Sequence, residues 1–170
     1  GRALPVPRLC GYARLVRPGS AHEGLRIIRD EGVLGHLREL DGAAGDWDRY
    51  RSITLNELKT GRDKKNMVLH ALLVSIQASI DIANHLVAAS SSRRPETYRE
   101  SFVILCDEGL IPEDLGVRLS DLAGFRNVLV HLYCRLDLDE VYGVLQDDLL
   151  VVNRYRDLVR AMLRDRLLPE

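Results

Sequence analysis

The sequence predicts an all-α protein in which about five helices form an antiparallel up-and-down bundle. Apolar residues recur at helical spacing along most of the chain, and no segment shows the sustained alternation that is typical of a strand. The connections between these segments are short, which favours helices that run antiparallel to their neighbours. With 170 residues, of which 46% are hydrophobic and 29% charged, the chain can bury a core as one soluble domain.

The first 22 residues differ from the rest and are predicted to form an irregular basic extension. They contain four arginines and three prolines, and they contain no acidic residue. These residues interrupt the apolar run that a signal peptide needs. We expect this segment to be an addition to the natural chain or the product of an upstream start. The alternative is a basic arm that contacts RNA phosphates. Residues 23–170 are expected to form the helical domain.

Five principal helices are predicted from apolar periodicity and from residues that commonly begin or end helices. A short stretch at 47–58 is ambiguous, although Thr54 and Glu57 have the spacing of a capping box. The predicted helices run from Leu25 to Asp41-Gly42, from Arg62 to Ala89, from Pro95 to Glu108-Gly109, from Pro112 to about Tyr133, and from Leu138, after an Asp137 cap, to Leu168.

Charge, cysteine content and missing motifs exclude several classes of protein. The formal net charge is −1, so any binding of nucleic acid would need a local basic patch. Cys10, Cys106 and Cys134 are widely spaced, which argues against a disulfide framework or a thiolate metal site and suggests a reducing compartment. No apolar run approaches the ~20 residues that span a bilayer. Glycine-rich phosphate loops and metal-ligand motifs are absent from the sequence, so we expect no metal and no cofactor.

The predicted helix from Leu122 to Tyr133 has an unusual polar face. Arg126, Asn127 and His131 lie opposite its apolar arc, with Tyr133 about 20° from Arg126. An ordinary solvated face would carry Lys and Glu, and neither occurs in this segment. Arginine offers a planar donor fork to phosphate, and histidine can move a proton near neutral pH. The alternative is an arginine and a histidine that only satisfy neighbouring groups. The apolar arc comprises Leu122, Phe125, Val128, Leu129 and Leu132.

A second polar face with little charge lies on the predicted helix 62–89. Its members fall within an arc of about 100°, and Asp81 is the only one with a formal charge. Such a face can pack against another subunit or against the helix that carries Arg126. Equally, it can form a buried polar network that fixes helix register. The face comprises His70, Gln77, Asp81, Asn84 and His85.

Together these residues resemble a known family. Residues 124–133, G-F-R-N-V-L-V-H-L-Y, resemble the R-x4-H-x-Y motif of HepT-type toxins in the HEPN superfamily. The segments S-I-D-I-A-N-H-L at 79–86 and D-L-D-E-V-Y at 137–142 are similar to that family as well. The resemblance covers roughly residues 25–168, and its motif shows no departure from the family pattern.

The resemblance implies a HEPN-like bundle that forms a homodimer and brings the motifs of two chains to a shared cleft. It implies a cytoplasmic, metal-independent endoribonuclease that cleaves RNA and not DNA, as the toxin of a toxin–antitoxin pair. The antitoxin would be a small MNT-type nucleotidyltransferase that silences the toxin by adenylylating the motif tyrosine. On the matching positions, His131 is the general acid and base, Arg126 the transition-state cation, Asn127 a supporting residue and Tyr133 the modified tyrosine.

The chemistry of the residues is compatible with this expectation. RNA carries its own nucleophile in the 2′-hydroxyl, so an enzyme without metal ligands needs a proton shuttle and a cation. The motif helix offers one histidine, and a dimer would supply two. We expect Asp81 to support the site, either by orienting His131 or by pairing with Arg126. Two other classes stay open, a non-catalytic helical partner of a nucleotidyltransferase and an unrelated helical interaction domain.

Overall fold

The computed structural model describes residues 31–131 and 135–164, and within these ranges the chain forms helices and no strand. The extension predicted at residues 1–22 lies outside the described residues, as do Leu25, Ile28, Tyr133 and Leu168. We label the helices α1 Glu31–Tyr50, α2 Leu55–Thr60, α3 Arg62–Ser90, α4 Tyr98–Asp107, α5 Glu113–His131, α6 Leu138–Asp147 and α7 Leu149–Arg164.

The long helix α3 is the centre of the bundle and confirms the strongest periodic pattern in the sequence. It packs against each of the other six described helices. Within the described ranges it is also the one helix long and apolar enough to cross a membrane, with a mean hydropathy of 1.4 in an 18-residue window. Because 61% of that window is buried inside the bundle, the apolar composition is that of a core helix.

The first predicted helix does not end at Asp41-Gly42, as the sequence suggested, but continues as α1 to Tyr50. Burial explains the difference, because Trp47 is fully buried and its indole Nε1 donates to the carbonyl of Leu145 at 2.8 Å. Asp41 does not end the helix but pairs with Arg156 and Arg160 of α7, which ties the two helices together.

The first predicted helix was too short, whereas the last was too long. Where the sequence predicted one helix from Leu138, the structure has two, α6 and α7. Asp148 ends α6, its N–H donating to the carbonyl of Val144 at 3.1 Å, and its carboxylate accepts from Arg118 of α5 at 2.5 Å. The buried positions Leu145, Leu149 and Val152 keep helical spacing across the break. The apolar pattern alone therefore could not reveal it.

The capping predictions are confirmed. Thr54 and Glu57 form a capping box at α2, with the Thr54 N–H donating to Glu57 Oε2 at 2.9 Å. Lys64 and this box together lower the pKa of Glu57 to about 2. Asp137 caps α6 by accepting from the Asp139 N–H at 2.9 Å.

The helix expected from Pro95 begins later, as α4, because the Thr97 hydroxyl accepts from the Glu100 N–H.

Candidate active site

Arg126 lies in the middle of the site and joins α5 to α3. It is half-buried, and its Nε donates to Oε1 of Gln77 at 2.9 Å. A hydrogen bond from a cation is stronger than one between neutral groups, and it fixes the guanidinium plane. The polar face predicted on helix 62–89 therefore packs, at this point, against the helix that carries Arg126.

Asp81 extends this contact into a chain of hydrogen bonds from Arg126 through Gln77 to Asp81. The Gln77 Nε2 group donates to Asp81 Oδ1 at 2.9 Å, across one turn of α3. Since the amide nitrogen is engaged by the carboxylate, the amide oxygen is directed to Arg126. Asp81 thus reaches Arg126 through Gln77, a residue that the sequence places on the same face. No hydrogen bond or ion pair joins Asp81 to His131, which is also a described residue.

Tyr98 is a part of the site that sequence reasoning missed. It begins α4, and the Arg126 Cζ lies 5.1 Å from the centroid of its ring. A cation over an aromatic face at this distance is stabilised by about 0.5–1 kcal/mol at an exposed site. The side chain is 37% exposed, so the ring contacts Arg126 and also borders solvent. No sequence pattern links the two residues, because their contact depends on how α4 packs against α5.

The packing of α4 against α5 is close where these side chains meet. Ser120 of α5 donates its hydroxyl to the Arg99 carbonyl at 3.2 Å, and Asp121 pairs with the Arg99 guanidinium at 3.4 Å. A Cβ added to Gly124 would collide with that guanidinium. Gly124, two residues before Arg126, therefore lets the side chain of Arg99, the residue after Tyr98, lie directly on α5.

The other members of the predicted face of α3 have separate environments. Asn84 Oδ1 accepts from the Ser101 hydroxyl of α4 at 2.7 Å, and Ser101 is fully buried. The ring of His85 lies 5.4 Å from the ring of His36 on α1. His70 is exposed. One predicted face thus contacts three helices, and its middle part reaches Arg126.

A cleft of about 830 Å³ opens beside Arg126, between the end of α3 and the start of α4. Asn127, which follows Arg126 on α5, lines this cleft together with Tyr98. Its walls combine uncharged polar groups with apolar side chains, and they also carry two arginines and one glutamate. The lining residues are Asn84, Val87, Ala88, Ser91, Ser92, Arg93, Arg94, Pro95, Glu96, Thr97, Tyr98, Ser101 and Asn127.

His131 is exposed at the C-terminal end of α5 and is not part of the hydrogen-bonded chain of Arg126, Gln77 and Asp81. It lies five residues after Arg126, which is about 140° around the helix axis and about 7.5 Å along it. No hydrogen bond or ion pair between described residues joins His131 to Arg126 or Gln77. Within one chain, therefore, the predicted proton shuttle and the predicted cation point in different directions. Tyr133 lies outside the described residues.

Comparison with known proteins places this chain in a family. The model of the Ribonuclease HepT-like family matches residues 40–162. The chain is 36% identical over 85 residues to the mRNA nuclease HepT of Shewanella oneidensis, and 27% identical over 144 residues to the putative RNase YutE of Bacillus subtilis. These matches cover 50% and 85% of this chain, and 64% and 92% of the relatives. The chain thus spans just under two thirds of the HepT nuclease.

Solved structures are similar over most of the chain. A crystal structure of a toxin–antitoxin with AMP-PNP gives a TM-score of 0.71 at 25% identity and covers 78% of this chain and 99% of that one. A tri-AMPylated HEPN toxin of Shewanella oneidensis in complex with an MNT antitoxin gives 0.70 at 26% identity and covers 78% and 98%. Since the family model matches well over half of the sequence, the chain belongs to the Ribonuclease HepT-like family.

Proposed function

We propose that the chain is a metal-independent endoribonuclease that acts as the toxin of a toxin–antitoxin pair in the bacterial cytoplasm. The observation that carries this proposal is the restraint of Arg126 by Gln77, Asp81 and Tyr98 at the edge of the 830 Å³ cleft. A fixed cation that needs no reorganisation is what charge stabilisation at a phosphate requires. Family membership and the relative named as an mRNA nuclease support RNA as the substrate.

In the proposed reaction the substrate supplies the nucleophile. His131 takes the proton of a ribose 2′-hydroxyl, and the oxygen attacks the adjacent phosphorus. Arg126 donates from its Nη atoms to the phosphorane oxygens, while Asn127 supports the site from the neighbouring position. The 5′-oxygen leaves with a proton from a protonated imidazole, which produces a 2′,3′-cyclic phosphate and a 5′-hydroxyl.

A two-fold homodimer provides the geometry that this reaction needs. The direction of His131, about 140° away from that of Arg126, does not favour one site within one chain. Two copies related by a two-fold axis can face each other across a shared cleft, which would then contain two arginines and two histidines. One imidazole can act as the base while the other acts as the acid.

The proposal is tested by cleavage of a fluorescent RNA by the purified chain. Arg126→Ala and His131→Ala should each lower the cleavage rate about 10²–10⁴-fold. His70→Ala, which removes an exposed imidazole of α3, should leave the rate unchanged. Cleavage should persist in EDTA, should spare DNA and should leave 2′,3′-cyclic phosphate ends. Loss of activity with chelator, or activity on DNA, would contradict the mechanism.

We propose that an MNT-type nucleotidyltransferase silences this site by adenylylating Tyr133. The solved toxin–antitoxin complexes, one with AMP-PNP and one with a tri-AMPylated toxin, support this control. The helical periodicity of the sequence predicts that Tyr133 lies about 20° from Arg126 and about 10 Å further along the axis. A phosphate attached to its hydroxyl would then compete with substrate for Arg126 and repel incoming RNA.

Tyr133→Phe should therefore remain an active ribonuclease and escape silencing. The measurement is mass spectrometry after incubation with ATP, Mg²⁺ and the cognate nucleotidyltransferase, together with the RNA assay. AMP on another residue, or covalent silencing of the Phe variant, would contradict the assignment.

The second candidate is a non-catalytic partner of a nucleotidyltransferase, which the net charge of −1 favours because it gives no general attraction for RNA. The cleavage assay separates the two. A chain that binds the nucleotidyltransferase and cuts no RNA has the second function.

A further inference from the structure

The cleft adjoins Arg126 through two of its lining residues, Tyr98 and Asn127. Tyr98 contacts Arg126 with its ring and also lines the cleft, and Asn127 lines it from α5. A polynucleotide whose phosphate reaches Arg126 can therefore place an adjoining nucleotide in this cleft. Its volume of about 830 Å³ lies within the range of small-molecule sites.

The walls offer hydrogen bonds of a defined kind. Asn84 Oδ1 accepts from Ser101, whose hydroxyl is fully buried, so the orientation of the Asn84 amide is fixed. Its Nδ2 group is the half of the amide that remains for a ligand. Ser91, Ser92 and Thr97 add hydroxyl groups around it. Uncharged donors and acceptors beside an aromatic ring suit an unstacked base and its ribose.

The positive charge of the cleft is concentrated on one side chain. Arg93 is neutralised, because its Nη1 pairs with Asp107 at 2.5 Å and its Nη2 lies 3.9 Å from Glu100. Arg94 is exposed and forms no ion pair with the described residues. Glu96 is the one carboxylate among the described lining residues. Arg94 is thus the lining cation that can take a second phosphate without giving up a partner.

We propose that this cleft binds the nucleotide next to the cleaved phosphate in single-stranded RNA. Asn84 Nδ2 donates to an acceptor of the base, and Arg94 contacts the following phosphate. The inference rests on the proposed function, because Arg126 defines which phosphate is cleaved. A duplex cannot use the cleft, since its base edges are paired and stacked.

The first test measures binding without cleavage. A fluorescent RNA oligonucleotide with 2′-fluorine in place of each 2′-hydroxyl cannot be cut and keeps its phosphates and bases. By anisotropy, Arg94→Gln should bind it about tenfold more weakly than the wild type at low salt. The slope of log affinity against log salt should fall by about one. The matched control is Arg62→Gln, the same change of charge at an exposed position about 33 Å from Asn84 along α3.

The second test addresses the base. Asn84→Asp keeps an oxygen acceptor for the buried Ser101 hydroxyl and removes the Nδ2 donor. Its control is Asn56→Asp, an equal change of charge at an exposed position on α2. With cleavable RNA, Asn84→Asp should raise KM at least fivefold more than Asn56→Asp does, with little change in kcat. Circular dichroism and thermal melting check that each variant is folded.

The outcomes separate the two proposals. If the wild type cleaves RNA while Arg94→Gln binds like Arg62→Gln, the inference about the cleft is wrong and the proposed function stands. If the wild type binds the uncut oligonucleotide through Arg94 and cleaves no RNA, the cleft is an RNA site and the proposed function is wrong. Failure of the wild type to bind the oligonucleotide overturns the inference about the cleft. Equal KM values for Asn84→Asp and Asn56→Asp would show that Asn84 is not part of the nucleotide site.

Discussion

The guanidinium of Arg126 is restrained by two contacts of different kinds. Gln77 accepts a hydrogen bond from Nε, and the ring of Tyr98 lies against the cation. Neither contact uses the two Nη atoms, which are the ones that can reach a phosphate. The cation is therefore oriented before a substrate arrives, and less reorganisation is needed during the reaction.

Tyr98 provides a test of this restraint that leaves the reacting groups in place. Tyr98→Phe keeps the ring and should cleave RNA at close to the wild-type rate. Tyr98→Ala removes the ring and should lower kcat about twofold to fivefold, corresponding to a cation–π contact of about 0.5–1 kcal/mol. The measurement is the kcat and KM of both variants. If Phe and Ala reduce kcat equally, the hydroxyl and not the ring is what matters.

Part of this site could be predicted from the sequence. The scarcity of charge on two helices identified Arg126 and Asp81, because side chains that face open solvent are rarely so uniformly uncharged. Tyr98 could not be found in this way, since an aromatic residue at the start of a helix is common. Its role depends on the loop that returns the chain from α3 to α4, and loop geometry has no periodic signal.

Helix α1 contains glycines in its interior, which lower the stability of a helix relative to alanine. Gly42 lies in the middle of α1 on the exposed side, and a Cβ added there meets nothing within 4 Å. Gly42→Ala should therefore stabilise the protein by about 0.5–1 kcal/mol, because alanine has less backbone freedom to lose. Thermal unfolding should show a Tm higher by about 1–4 °C.

The same substitution in α5 serves as the contrast. Gly116 is buried, and a Cβ there would collide with the Sγ of Cys106 on α4. Gly116→Ala should destabilise the protein by about 1–3 kcal/mol, because α4 and α5 must separate. A stabilising effect of this variant would show that the interface between the two helices is looser than described.

At the level of elements, the sequence predicted helix type better than helix ends. α3 agrees with the prediction within one residue because a long buried stripe is bounded by Arg62 and a serine cluster. The ends of α1 and α6 were wrong because tertiary contacts decide them. Asp41 looks like a helix end until Arg160 of α7 is placed beside it, and Asp148 looks like a helical residue until Arg118 binds it.

At the level of the whole molecule, the proposed dimer makes a prediction about mixed subunits. If a shared cleft needs two histidines, adding excess His131→Ala chain to the wild type should lower activity below the value expected for independent enzymes. The physical reason is that exchange creates heterodimers with one imidazole. Light scattering should give a dimer at micromolar concentration. Activity that depends only on the amount of wild-type chain, or an active monomer, would contradict the shared cleft.

The central position of α3 has a consequence for how activity is lost. Gln77, Asp81 and Asn84 lie on the one helix that packs against all six others in the described part of the chain. Amide hydrogens of a helix in that position exchange only when most of the bundle opens. Gln77 and Asp81, the supports of Arg126 on α3, are therefore among the last parts of the molecule to unfold. Fraying at the periphery leaves them intact, and denaturant should abolish catalysis and global structure in one transition.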